Sequence, residues 1–379
     1  MRPGVDVISR AQPLPRSALT DVGAAFMVGT TGTGAGTVAT VRSLTDYETA
    51  FGPRGSQPSP IASWDAADAF FREGGASLTV SSLATGTVDV TKVQAALAKL
   101  TPDMGPGQVF MAEQDVTATL AAIQGALLDH AAATNRIALL HLKDDPVAAN
   151  LVTAANAIPK ANGRYGAAFA PRAVLPGIAS GTQRTVGYDA IVAGILARND
   201  AVMNPNIPAA GVNGQSVYAT GLTNTYSEAD YSALNIAGVD MSRLIYSGVR
   251  TYGWRTLIDP AGDQSWLDLG NARLNMAITA QANAIGENYV FSQLDGRRLT
   301  ISQFGGELRA MLTPYYEQGA LYGETAEDAF YVDVGTSVNT EATIANGELH
   351  AVIEVRMSPF AEYVVIEIVK VATTQAIAA

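Results

Sequence analysis

Three groupings in this chain are of the kinds that can do chemistry: a glycine-rich turn, paired carboxylates and a few histidines. The turn is GTTGTGAG (29–36), which follows an apolar run, AAFMVGTT (24–31). Such a turn can point backbone N–H groups at a phosphate. Here the glycines after Gly29 fall at 32, 34 and 36, which is not GxGxxG spacing, and no Lys-Ser/Thr pair follows. A surface loop is the plainer reading. Asp144–Asp145 and Glu327–Asp328 are sequence neighbours. Adjacent carboxylates do not face each other on a helix, and acid–base pairs are usually assembled from distant positions. His130, His141 and His350 match no metal-ligand spacing, and there is no cysteine to help them. No GxSxG elbow occurs. The expectation is no catalytic residue, no metal and no cofactor.

The elements that would position such residues have an α/β rhythm. AAFMVGTT reads as a buried strand. VRSLTDYETAFG offers Ser43 or Thr45 as the cap of a helix carrying Tyr47, Ala50 and Phe51. SWDAADAFFREGG reads as a helix from Trp64 to Arg72 closed by Gly74–Gly75, and ASLTVSSL as the next strand. Helical spacing recurs at Val90, Val93, Leu97 and Leu100, and again at Val116, Leu120, Ile123 and Leu127. RIALLHL (136–142) and RYGAAFAP are runs of strand length, which makes His141 a core or strand-end histidine. A long helix is expected from Trp266 through Leu269, Leu274, Ile278 and Ile285. Near the end, Ala351, Ile353, Val355 and Met357 alternate with His350, Glu354 and Arg356, a half-buried strand, and AEYVVIEIVKVA is a second β-run. Strand, helix, strand in this order points to an α/β fold.

Length and charge narrow the function classes. The 379 residues suit two or three domains at roughly 150 residues each. Only 16% of them are charged, against about 25% in typical soluble chains, and 48% are hydrophobic. That balance argues against disorder and leaves surface for protein contacts. A net charge of −11 argues against a nucleic-acid binder. The opening MRPGVDVISRAQPLPR has no apolar core of a secretory signal, and no run is long enough to span a membrane. Residues 299–379 hold three basic residues against eleven acids, −8 of the total −11. This is a solvated face or a surface that meets a basic partner.

Several segments together resemble the contractile tail sheath proteins of bacteriophages and related injection systems. PGVDV resembles the family's opening arm. AAFMVGTTGTG, VRSLTDYETAFG and ADAFFREGGASLTVSSL are similar to the strand, helix and double-glycine segments that follow it. YDAIVAGILARNDAVMNPNIPAAG carries a further match at Gly194, Arg198, Asp200, Pro208 and Ala209. LNIAGVDMSRLIYSGVRTYGWRTLI matches at Gly253, Trp254 and Arg255, QGALYGETAEDAFYVDVG at Gly319 and Gly323, and MSPFAEYVVIEIV at the close. The family order holds from residue 3 to about 371. Two departures stand out. The family's Trp-Gly-Ala-Arg order appears as Tyr252-Gly253-Trp254-Arg255, and the segment after Asp200 lacks the family's lysine.

The resemblance implies a mixed α/β and α+β fold with an N-terminal arm (1–16), an inserted outer α/β domain (17–190), an inner sheath domain (191–362) and a C-terminal strand or arm (363–379). It implies a non-enzymatic subunit that stacks as hexameric rings around an inner tail tube and contracts by rigid-body rearrangement. The implied partners are the chain itself, the tube protein, and baseplate and tail terminator proteins. Nucleic acid and membrane insertion are not implied. The implied location is the virion tail, after assembly in the host cytoplasm. Val5, Val7 and Ile8 would pair as a strand with another subunit, as would Val364, Ile366, Ile368, Val369 and Val371. Arg198 and Arg255 with Asp200 either hold local structure in the core or make ordinary ion pairs. The alternatives are an α/β nucleotide-binding enzyme and another virion shell protein.

Overall fold

The computed structural model describes residues 21–58, 61–112, 119–246, 248–259 and 261–362. Its centre is an eight-stranded sheet. The strands are β1 (Ala25–Gly29), β2 (Val38–Val41), β3 (Leu78–Ser82), β4 (Gln108–Met111), β5 (Ile137–His141), β6 (Gly166–Ala170), β10 (Val239–Ile245) and β11 (Gly248–Thr251). Their order is β11-β10-β6-β5-β4-β1-β3-β2. The six central strands run parallel, and β2 and β11 close the two edges antiparallel. Parallel strands are covered on both faces, so they read as unbroken apolar runs. Each of β1, β3, β4, β5 and β6 is buried along its whole length.

Helices cover both faces. On one lie α3 (Val90–Leu97), α4 (Leu120–Thr134), α5 (Ala148–Ala157) and α7 (Glu228–Ile236), burying Val93, Leu127, Leu151 and Leu234 over Phe26, Val109 and Leu140. On the other lie α1 (Leu44–Phe51), α2 (Ala62–Arg72) and α6 (Tyr188–Asp200), with Phe51, Phe70 and Ile191 against Met27, Phe110 and Leu139. A small antiparallel sheet of β7 (Ala173–Pro176), β8 (Gln183–Val186) and β9 (Gly221–Leu222) flanks them. The helix expected from Val116 begins at Leu120, and residues 113–118 lie outside the described set.

The chain then builds a second unit. Two 19-residue helices, α8 (Leu269–Glu287) and α9 (Leu299–Glu317), pack against a two-stranded antiparallel sheet of β12 (Phe330–Asp333) and β13 (Val352–Val355). The expected division between 190 and 191 runs through α6. The sheet also continues beyond that line, because β10 pairs with β6 and buries Val239 and Met241. A parallel strand needs cover on both faces, so β10 and β11 cannot be detached from the unit that α7 and α6 cover.

Candidate assembly surface

The two-stranded sheet has one bonded edge and one open edge. A two-stranded sheet alone is marginal in water. Here β12 is supported by α9, since the Arg309 guanidinium donates to the Val332 carbonyl at 2.9 Å. On the β13 side, Arg356 N donates to Ala329 O at 2.9 Å, Tyr322 N to Arg356 O at 2.8 Å and Ser358 N to Ala320 O at 3.0 Å. These bonds all lie on one side of residues 352–358. Antiparallel pairing alternates bonded and non-bonded residues. Ile353, Val355 and Met357 therefore turn their N–H and C=O groups outward, with no partner among the described residues.

That edge looks onto α8 across two adjoining hollows of about 460 and 260 Å³. Ala282, Asn283 and Ile353 line both. Small side chains on α8 leave the space, and Ile353 and Val355 point their apolar groups into it. An extended segment laid there would gain backbone bonds from β13 and an apolar floor at once, the geometry of strand addition.

Solved structures share this architecture. No protein-family model and no curated protein matches the chain. A chain of the anti-feeding prophage (AFP) baseplate superposes with TM-score 0.75 at 22% identity, covering 98% of this chain and 99% of that one. The AFP helical sheath in its contracted state gives 0.72 at 21%, covering 97% and 98%. A sheath tail protein from Desulfitobacterium hafniense gives 0.60 at 11%, covering 87% and 93%. The chain has the contractile-sheath fold.

Within that sheath fold, the motif residues occupy packing and anchoring positions. Gly194 lets α6 touch α2: a Cβ there would fall 2.5 Å from the Glu73 Cβ and 2.7 Å from the Phe70 carbonyl. Gly253 sits equally close to Asp240, and Gly323 to the Ala329 amide. Gly319 ends α9 with φ 74°, a left-handed conformation that glycine adopts without strain. Trp254 is buried, and its carbonyl accepts from Leu269 N at 3.2 Å.

The three charges do not form one group. Arg198 donates to the Glu73 carbonyl and carboxylate and to Gln215 O. Asp200 pairs with Arg273. Arg255 reaches Glu362 at 2.8 Å, while its backbone N–H bonds Asp240 Oδ1 at 2.8 Å. Helix α6 turns Arg198 and Asp200 to different neighbours, and Arg255 belongs to the segment after β11. Glu73, Arg273 and Glu362, missed in the sequence, are the real partners.

Arg255 meets the chain at its last described residue, so the base of the C-terminal segment is tied to the body here. Burial holds Asp240 well above the ordinary carboxylate range and pushes Asp268 up to about 6. A second buried network joins α2 to β8, where Arg184 pairs with Asp65 and Asp68. Val5, Val7 and Ile8 lie outside the described residues, as do Val364, Ile366, Ile368, Val369 and Val371.

The glycine-rich turn follows β1 at the point where strand order reverses between β1 and β4, where open α/β sheets bind ligands. Three of its amides are held within the fold: Gly32 N donates to Gln57 Oε1 at 3.0 Å, Thr33 N to Phe51 O at 3.0 Å and Gly36 N to Ser82 O at 3.2 Å. His141 is buried at the end of β5, and burial lowers its pKa to about 3. No group of three metal-ligating side chains occurs among the described residues.

Proposed function

We propose that this chain is the sheath subunit of a contractile injection machine. Copies join head-to-tail by strand exchange, form stacked six-fold rings around an inner tube and shorten by rigid-body rearrangement. The observation that carries this reading is the open β13 edge above its groove, in a chain with the sheath fold. Heterologous contacts between identical subunits build rings or open helices. Backbone pairing through a hinged arm persists while subunit bodies rotate. The β-capable ends around Val5–Ile8 and Val364–Val371 supply the strands.

In this reading the unit of α8, α9, β12 and β13 faces the tube, and acids within 299–379 meet a basic stripe on it. Raised salt then weakens the sheath–tube contact, because exposed pairs are screened over roughly 8–10 Å. Baseplate and terminator proteins bound the two ends of the sheath, and assembly takes place in the host cytoplasm. Contraction draws on better contacts in the final state, so no nucleotide is needed. The nucleotide-enzyme alternative gains no support from a glycine turn that lacks phosphate-loop spacing and whose Gly32, Thr33 and Gly36 amides are held by the fold.

The test is negative-stain electron microscopy of the full chain, alone and with its tube protein, beside a chain lacking residues 1–12. Hollow striated tubes from the full chain and soluble, folded particles from the truncated one are expected. Equal tube formation by both would remove the arm assignment. Discrete particles from the full chain, even with the tube protein, would overturn the sheath reading.

A further inference from the structure

A groove of about 680 Å³ runs between α8 and α9, on the opposite side of α8 from the β13 edge. Ala277, Ala284 and Ile285 line it from α8, and Glu307, Met311 and Pro314 from α9. From Glu307 to Gln318 it extends about 16 Å at 1.5 Å per helical residue. At one end Val22 meets Asn204, whose amide holds the Gln318 carbonyl at 3.3 Å. Gln108 Nε2 donates to the Val22 carbonyl at 2.7 Å, so the chain's point of entry is pinned. At the other end stands Glu307, exposed, accepting from the Tyr289 hydroxyl at 2.8 Å. No lysine or arginine lines the groove among the described residues.

One backbone group in the wall lacks its usual donor. Pro314 has no N–H, so the Ala310 carbonyl loses its helical partner four residues on. Both residues line the groove. An extended segment with free amides, some apolar side chains and a cation would suit this surface.

The chain carries such a segment immediately before Val22. PLPRSALT (13–20) has Leu19 and Ala18 for the apolar floor, Arg16 as a cation and no acid. Five residues separate Arg16 from Val22, six extended steps of about 3.3 Å or about 20 Å, enough to span the groove's roughly 16 Å. Tyr289 meets Glu307 and Gln281 meets Tyr315 across the antiparallel helices, so a segment laid along the groove puts Leu19 over Ala284 and Met311, and Arg16 reaches Glu307. Pro13 and Pro15 follow beyond the end. We propose that residues 16–20 dock in the α8–α9 groove of their own chain, with Arg16 paired to Glu307. A tethered segment outcompetes a free one through its millimolar effective concentration. The N-terminal segment then leaves the body near Glu307 rather than at Val22. Docking stands whether or not residues 1–12 pair with another subunit.

The absence of native cysteine allows a direct test in the full chain. Leu19→Cys with Met311→Cys should form an intrachain disulfide under mild oxidation, identified by the mass of the joined peptides. Leu19→Cys with Val147→Cys, on an exposed site before α5, should stay reduced. In a mixture of light and heavy isotope-labelled chains, linkage between chains would give the groove to a second copy and overturn the proposal. A folded variant with no Leu19–Met311 linkage would overturn it too.

The unmodified protein supplies a second readout. In dilute solution, trypsin should cut after Arg10 at least tenfold faster than after Arg16. Glu307→Gln should speed cleavage after Arg16 several-fold and leave Arg10 unchanged. Equal rates at the two arginines in the native chain would overturn the docking.

Discussion

Asp200 Oδ2 lies 2.6 Å from Arg273 Nη2, with both side chains almost wholly buried. Asp200 ends α6 beneath the large sheet, and Arg273 stands in the first turns of α8. The pair therefore joins the sheet unit to the helical unit, and the Arg273 guanidinium also holds the Pro205 carbonyl at 3.0 Å. Removing one partner strands a buried charge, which typically costs about 3–5 kcal/mol. Asp200→Ala should lose that much in urea denaturation. The double change Asp200→Leu with Arg273→Met should recover a large part of it. A loss under about 1 kcal/mol for Asp200→Ala would mean that the pair contributes no more than an exposed one does.

Asp240 and Asp268 face the Arg255 guanidinium and the Glu362 carboxylate, and burial keeps both acids protonated at higher pH than usual. The folded chain thus binds protons that the unfolded chain releases. Their contribution to stability is complete below the unfolded value near 3.8 and is lost as pH rises through the folded values, about 6 for Asp268 and well above the ordinary carboxylate range for Asp240. The denaturation midpoint should fall between pH 4 and 7 through this term. Asp268→Asn should flatten the profile in that window, because asparagine still offers an oxygen to the Gly270 amide that Asp268 caps at 2.7 Å. An unchanged slope would place the titration elsewhere.

Gly194 and Gly286 are both helical, yet substitution should have opposite signs. A Cβ on Gly194 would press into Glu73 and Phe70 across the α2–α6 contact, whereas one on Gly286 meets nothing within 4 Å. Gly194→Ala should cost about 1–3 kcal/mol through overpacking. Gly286→Ala should be neutral or gain up to about 1 kcal/mol from helix propensity. Thermal unfolding of the two variants decides the matter.

What could be read from the sequence followed local physics. Ser43 does cap α1, accepting from Asp46 N at 3.1 Å, and RIALLHL does form a central strand. The helix expected from Trp266 begins at Leu269 because Asp268 supplies the cap. Helix α9 was not read, since Gly305, Gly306 and Pro314 interrupt it. Its pattern was present in Ile301, Phe304, Leu308, Leu312 and Tyr315, all buried. Gly305 is there because Val334 lies where its Cβ would be. The ion pairs were beyond reach for another reason. Arg198 meets Glu73 across 125 positions and Asp200 meets Arg273 across 73, and only the packed α2–α6–α8 layer brings them together. The open edge of β13 was legible as alternation, but not which side would be bonded.

Two proline substitutions at neighbouring positions of β13 separate folding from assembly. Proline removes one backbone donor and is tolerated on a strand where that donor faces outward. Val355 turns its N–H away from β12, while Glu354, directly opposite Tyr331, turns its N–H toward it. Val355→Pro should therefore leave the β12–β13 bonds in place and keep the fold, at the cost of some apolar packing over α8. It should also take a donor from the open edge, so that tubes fail to form in electron microscopy. Glu354→Pro should instead break the hairpin and lower the chain's own stability by about 1–3 kcal/mol, since the partner carbonyl is left unpaired. If Val355→Pro chains assemble as readily as the native protein, the edge is not where subunits meet. If they unfold, Val355→Ala supplies the packing control, and assembly by that variant would show that the donor and not the side chain matters.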